Sequence, residues 1–149
     1  MTNNYFIFTI ENQRYGVELS AVEKVIRAVE LIALPEAPEI LLGLINMRGK
    51  IIPVVNIRKQ FRLPAREIEL NDRIILCRIA TRSIAFIADT VEGIVTFSQH
   101  QLESGGQIFP EMEKYIEGVG KIKENTVIIY NIRKFFSDKD IDDVKDAAI

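Results

Sequence analysis

Tyr5 to Ile10 is a run of aromatic and β-branched side chains. After a polar break at Glu11 to Arg14, Tyr15-Gly16-Val17-Glu18-Leu19 alternates with a period of two. That period belongs to a pleated strand, so the two segments predict a β-hairpin. The same pattern returns as Arg73 to Ile79, a polar break at Ala80 to Ser83, and Ile84 to Ala88. Each hairpin is followed by a capping-box spacing, Ser20-x-x-Glu23 and Asp89-x-x-Glu92, which predicts one turn of helix. Val25 to Leu34 and Gly93 to Phe97 then read as strands, although Val22, Val25, Ile26 and Val29 also fit a helical face.

Pro35 and Pro38 interrupt the apolar pattern, and Pro38 to Leu42 predicts a short helical turn ended by Gly43. Leu44 to Met47 and Lys50 to Ile57 flank Arg48-Gly49, where glycine supplies the positive φ of a tight turn. Pro53 has no N–H, so its strand is expected at an edge or at a bulge. Ile116 to Lys121 and Thr126 to Ile132 form the corresponding pair, turning at Glu124-Asn125. Residues 61–72 read as a connection, 98–114 as a loop, and 137–149 as an amphipathic helix with Ile141, Val144 and Ala148 behind a Ser137 cap.

These elements form an internal repeat. Tyr15 to Leu19 leading to Val22-Glu23 aligns with Ile84 to Ala88 leading to Val91-Glu92, and Gly43 with Asn56-Ile57-Arg58-Lys59 aligns with Gly118 and Asn131-Ile132-Arg133-Lys134. The offset grows from 69 positions (15 to 84) to 75 (43 to 118), so the second half carries the longer loop. Two halves are too few for a solenoid. About five short strands in each, with almost no helix, predict an all-β fold of two small barrels.

Composition then narrows the function. A chain of 149 residues with 48% hydrophobic and 27% charged content is globular, and two small cores at this length imply one cooperative unit. A formal net charge of −2 gives no global pull toward nucleic acid. Met1 to Asn4 lacks the features of a signal peptide and no apolar run approaches membrane-spanning length, which predicts a cytoplasmic protein with no direct membrane insertion. Cys77 is the only cysteine and sits in an apolar run, where an inert buried thiol is expected.

Candidate chemistry is sparse. His100, the only histidine, lies in a polar loop and cannot by itself build a catalytic triad or a His-paired metal site. Asp138 to Asp143 resembles the start of a calcium loop, but Asp143 stands where glycine is required. Ser104-Gly105-Gly106 lacks the frame of a phosphate cradle. No cofactor, metal or catalytic residue is predicted. Arg58, Lys59, Arg62 and Arg66 form a basic cluster; an RNA-binding double barrel is the distant alternative it raises, against a solvated face. Arg48 remains, a guanidinium on a rigid turn that suits bidentate capture of a partner carboxylate as well as simple hydration.

The hairpin ending Tyr15-Gly16-Val17, then Leu34-Pro35 with Pro38, then the stretch Gly43 to Val55 (Gly-Leu-Ile-Asn-Met-Arg-Gly-Lys-Ile-Ile-Pro-Val-Val) and Ile116-Glu117-Gly118-Val119 together resemble the CheW family, the coupling proteins of bacterial chemotaxis arrays. The resemblance runs from Phe6 to Phe136. It implies one CheW-like domain over 1–149, built as two intertwined five-stranded SH3-like barrels. The halves are expected at about 15–72 and 73–136, with 1–14 and the 137–149 helix packed across them. It implies a non-enzymatic adaptor joining the cytoplasmic tips of methyl-accepting chemoreceptors to the regulatory domain of the histidine kinase CheA; other CheW-like domains are a further partner class. The family's receptor-side positions carry over to Val22, Gly43, Asn46, Arg48 and Gly49, while the kinase side is placed only on the outer faces of the barrels. A coupler for type IV pili or another chemosensory-like pathway is the alternative. The chain departs from the family at Lys24, where an acid is common, at Asn56, where aspartate is usual, and at Ala85, where glycine is usual.

Overall fold

A computed structural model of the chain describes residues 2–104 and 114–136. The expected C-terminal helix and the central part of the inserted loop, with Gly105-Gly106, lie outside the described residues. Among the described residues, ten strands run β1 (Thr2–Ile10), β2 (Gln13–Glu18), β3 (Val22–Arg27), β4 (Leu41–Met47), β5 (Lys50–Val55), β6 (Arg73–Ile79), β7 (Arg82–Ala88), β8 (Thr90–Ser98), β9 (Ile116–Ile122) and β10 (Asn125–Tyr130). Two helical turns follow β5 and β10: α1 (Ile57–Gln60) and α2 (Ile132–Phe136).

The repeats exchange their first hairpins. One five-stranded sheet has the order β8-β1-β2-β10-β9 and the other β3-β6-β7-β5-β4, so each draws strands from both halves of the sequence. Parallel pairs join the exchanged hairpins to their hosts, Ile128 beside Tyr15 and Val55 beside Phe86. Each sheet also closes on itself: Ile32 and Leu44 exchange two backbone hydrogen bonds at 2.8 and 2.9 Å, and Glu103 and Val119 do the same at 2.9 and 2.7 Å. This is the all-β, double-barrel architecture expected from the pattern.

Three apolar clusters result. Ile45, Ile52, Val54, Ile74, Leu76 and Ala85 fill one barrel, and Tyr5, Ile7, Phe97, Val127 and Ile129 fill the other. The largest cluster lies between the sheets, because the outward faces of β1, β2, β6 and β7 are apolar as well: Phe8, Tyr15, Val17, Cys77, Phe86, Phe135 and Phe136 meet there. Phe8 and Phe86, one from each sheet, have ring centroids 5.1 Å apart. Strands buried on both faces read as continuous apolar runs, which is what β1, β6 and β7 are.

Five local expectations are corrected. The capping-box glutamates cap no helix: Glu23 and Glu92 are the extra residues of equivalent β-bulges in β3 and β8, and only a 3-10 turn at Leu19–Ala21 precedes the first. Pro38 to Leu42 is a turn rather than a helix, closed by the Leu41 N–H on the Pro38 carbonyl at 2.9 Å, and Gly43 lies inside β4. Asn56 and Asn131 end their strands and cap α1 and α2, their Oδ1 atoms accepting from the N–H groups of Lys59 and Lys134 at 3.2 and 3.0 Å. Pro53 lies on an inner strand. Its partner Leu44 turns both backbone groups toward Ile32, so the Pro53 nitrogen faces β7, whose pairing with β5 begins only at Val54. The turn between β9 and β10 falls at Lys123-Glu124, one residue early, with Lys123 at φ 58°.

Candidate functional site

Asn46, Arg48 and Gly49 are brought together at the tip of the β4–β5 hairpin. Arg48 and Gly49 have φ of 55° and 87°, the paired left-handed conformation of a tight hairpin turn, and the Asn46 Oδ1 accepts from the Gly49 N–H at 2.8 Å. Asparagine short enough to reach its own turn and glycine at its second centre explain why this sequence bends here. Arg48 carries a side chain where one is unfavourable, and its guanidinium is exposed, with no hydrogen-bond or ion-pair partner among the described residues. Glu23 is not available to it: that carboxylate lies 3.3 Å from Arg78 Nη1 and accepts from the Ser83 hydroxyl at 3.3 Å.

The other two candidate positions are not part of this turn. Val22 is half-buried at the start of β3, opposite Cys77 and packed against the cluster between the sheets. Gly43 is buried in β4, and a Cβ there would lie 2.9 Å from Leu31 Cβ and 3.1 Å from the Ile32 carbonyl. Its repeat counterpart Gly118 would meet the Glu103 carbonyl at 3.0 Å. The repeated glycine therefore admits the segment that closes each barrel, so substitution of Gly43 acts through the fold.

Within the cluster Arg58, Lys59, Arg62 and Arg66, Arg58 and Arg66 are turned inward, whereas Lys59 and Arg62 are exposed. Arg58 donates to both Asp89 oxygens at 2.8 Å and to Glu11, Arg66 donates to Asp72 at 2.8 Å and to Asp89 at 2.7 Å, and Lys59 pairs with Glu39. Burial alone would raise the Asp89 carboxyl, but the Glu11 N–H and the two guanidinium groups outweigh it and hold it below its ordinary range. Paired in this way, Arg58 and Arg66 offer little free charge to RNA, which leaves Arg62 as the one unpaired cation of the four among the described residues.

Sequence reasoning missed a groove of about 750 Å³ at the other end of the β3-β6-β7-β5-β4 barrel, with Val29, Leu31, Leu42, Ile68 and Leu70 along its walls. Leu42 is the extra residue of a β4 bulge, which turns it outward to 41% exposure, and Leu70 is 92% exposed. Its one signal in the sequence was apolar residues inside the polar connector. Elsewhere, burial pushes the Cys77 thiol up to about 12, as expected of an inert cysteine. Among the described residues no group of three or more His, Cys, Asp or Glu could hold a metal ion, and no helix is long and apolar enough to cross a membrane.

The architecture and the motif both have counterparts. A family model described as CheW-like domain matches residues 4–140. A chemotaxis protein CheW of Treponema pallidum is 25% identical over 90% of this chain and 82% of its own length, and one of Thermotoga maritima is 27% identical over 88% and 85%. The crystal structure of the scaffolding protein CheW from Thermoanaerobacter tengcongensis superimposes with a TM-score of 0.81 at 27% identity, covering 93% of this chain and 95% of that one.

Proposed function

Because the chain belongs to the CheW-like domain family, a family of chemotaxis scaffolding proteins rather than enzymes, we propose that it couples chemoreceptors to a histidine kinase by holding both in one geometry. The partners in this reading are the cytoplasmic tips of methyl-accepting receptors and the regulatory domain of CheA, met in the cytoplasm. The observation that carries it is Arg48, a guanidinium unpaired among the described residues and fixed on a strained, rigid turn within the family-like stretch Gly43 to Val55. A donor fork that spends nothing on its own fold is available to a partner carboxylate. Transient signalling interfaces are small, below about 1,200 Å² in total, so repeated contacts across an array would supply the remaining hold.

Replacing Arg48 by Glu tests the site. The variant keeps the circular dichroism spectrum and melting temperature of the parent, and its co-sedimentation with receptor-containing membranes and kinase is weakened. Undiminished co-sedimentation would remove Arg48 from the interface.

A further inference from the structure

Charge is divided unevenly between the two barrels. The strands of the β8-β1-β2-β10-β9 sheet carry Arg14 and Lys121 against Glu18, Glu92 and Glu117. The strands of the other sheet carry Lys24, Arg27, Lys50, Arg73, Arg78 and Arg82 against Glu23 alone, in a chain whose net charge is −2. Much of that positive charge gathers at one end. The turn holding Arg48 leads directly into Lys50, whose Nζ donates to the Ser83 Oγ at 3.1 Å. Ser83 is buried and donates to Glu23, and Glu23 in turn is 3.3 Å from Arg78. Arg82 precedes Ser83 in β7 and is exposed, and Lys24 follows Glu23.

This end of the barrel is assembled by the fold. The β3 bulge places Glu23 against Ser83, and the β6–β7 register sets Arg78 opposite Ser83 and Ile79 opposite Arg82. Glu23 is the only acid in contact with the group among the described residues, and Arg48, Arg82 and Lys24 have no hydrogen-bond or ion-pair partner there. Gathering like charges raises their mutual repulsion, which an anionic partner relieves. Arg78, Arg82 and Arg48 present planar forks suited to carboxylates.

We propose that this end of the β3-β6-β7-β5-β4 barrel, framed by Arg48, Lys50, Arg78 and Arg82, is a docking surface for a protein segment with clustered Asp and Glu side chains. It rests on the reading that Arg48 is a partner contact, and it adds the chemistry of what that contact selects. A protein rather than a nucleic acid fits better, because residues 46–51 and 78–83 include no aromatic side chain on which a base stacks, whereas Ile51, 44% exposed beside the turn, offers apolar contact.

The test titrates the isotope-labelled full chain with three probes: a Glu-rich peptide, the same peptide with Gln at every Glu, and a short single-stranded RNA. The Glu peptide shifts the amides of 48–50 and 78–83, the shifts fade as salt is raised, and the Gln peptide leaves them unmoved. The Arg82 side chain is exposed and makes no hydrogen bond among the described residues, so Arg82→Glu keeps the fold. It slows association with the Glu peptide by about tenfold, as expected for loss of electrostatic steering. Equal shifts from both peptides, shifts confined to other residues, or tighter binding of the RNA at these positions would overturn the proposal. Those results leave the coupling function standing if Arg48→Glu still fails to co-sediment with receptor membranes and kinase; if it co-sediments normally, the Arg48 contact falls with the proposal.

Discussion

Arg58, on the helical turn of the first repeat, donates to both carboxylate oxygens of Asp89 in the second repeat, each at 2.8 Å. The reciprocal contact is present. Arg133, its counterpart in the second repeat, donates to the Ser20 hydroxyl at 3.1 Å and to Glu18 at 2.7 Å, and Ser20 occupies the position equivalent to Asp89. Each half therefore reaches across and fastens the hairpin exit of the other. The first of the two contacts is the stronger, because Arg66 adds a second guanidinium to Asp89 and ties in the connector through Asp72.

Asp89→Asn removes a carboxylate that accepts from two arginines and from the Glu11 N–H, and lowers stability by about 1.5–3 kcal/mol at neutral pH. The folded carboxyl titrates below its unfolded value, so its contribution is fully present above about pH 4 and is lost as pH falls through the folded pKa. Urea midpoints of parent and variant, far apart at pH 7, converge in acid. A pH-independent gap between them would show that the charge is not what matters.

The main core lies between the barrels, so neither barrel keeps its outer apolar faces covered alone. Phe86→Ala opens a space beside Phe8 and costs about 3–5 kcal/mol. Unfolding remains a single transition, with fluorescence of tyrosines and exchange of amides in β4 and β9 moving together. Two separated transitions would mean independent barrels.

Arg48→Gly separates fold from function. The turn position has φ 55°, which glycine adopts without strain, so the variant keeps or gains up to about 1 kcal/mol of stability while receptor and kinase capture weakens. A thermal melt beside a pull-down reads both. Loss of stability would mean that the guanidinium has an internal role.

Cys77 is fully buried with its thiol pushed up to about 12, so it stays protonated and shielded at neutral pH. A colorimetric thiol reagent reacts with it at the rate of global unfolding, and at once in denaturant. Immediate labelling of the native chain would show an opening that reaches the core between the sheets.

Much of this was legible in the sequence. The hairpin at Arg48-Gly49, both exchanged hairpins and the repeat itself follow from period-two patterning and turn chemistry. The exchange of hairpins was not legible from pattern alone, because β1–β2 and β6–β7 are equally apolar and nothing local says which half each joins. Glu23 and Glu92 were misread because a bulge and a capping box share the same short spacing of polar residues, and only the strand register distinguishes them. Asn56 and Asn131 look like strand ends until their side chains are seen to cap the next turn. The basic end was hidden because Lys50, Arg78 and Arg82 are scattered along the chain and meet only through Ser83 and the β6–β7 register.

The central claim is that this body bridges two proteins. Its most direct test is to sediment receptor-containing membranes with the purified kinase in the presence and absence of the chain. The account predicts that kinase pellets with the membranes when the chain is added and stays largely in the supernatant without it. Kinase pelleting to the same extent with and without the chain would contradict it.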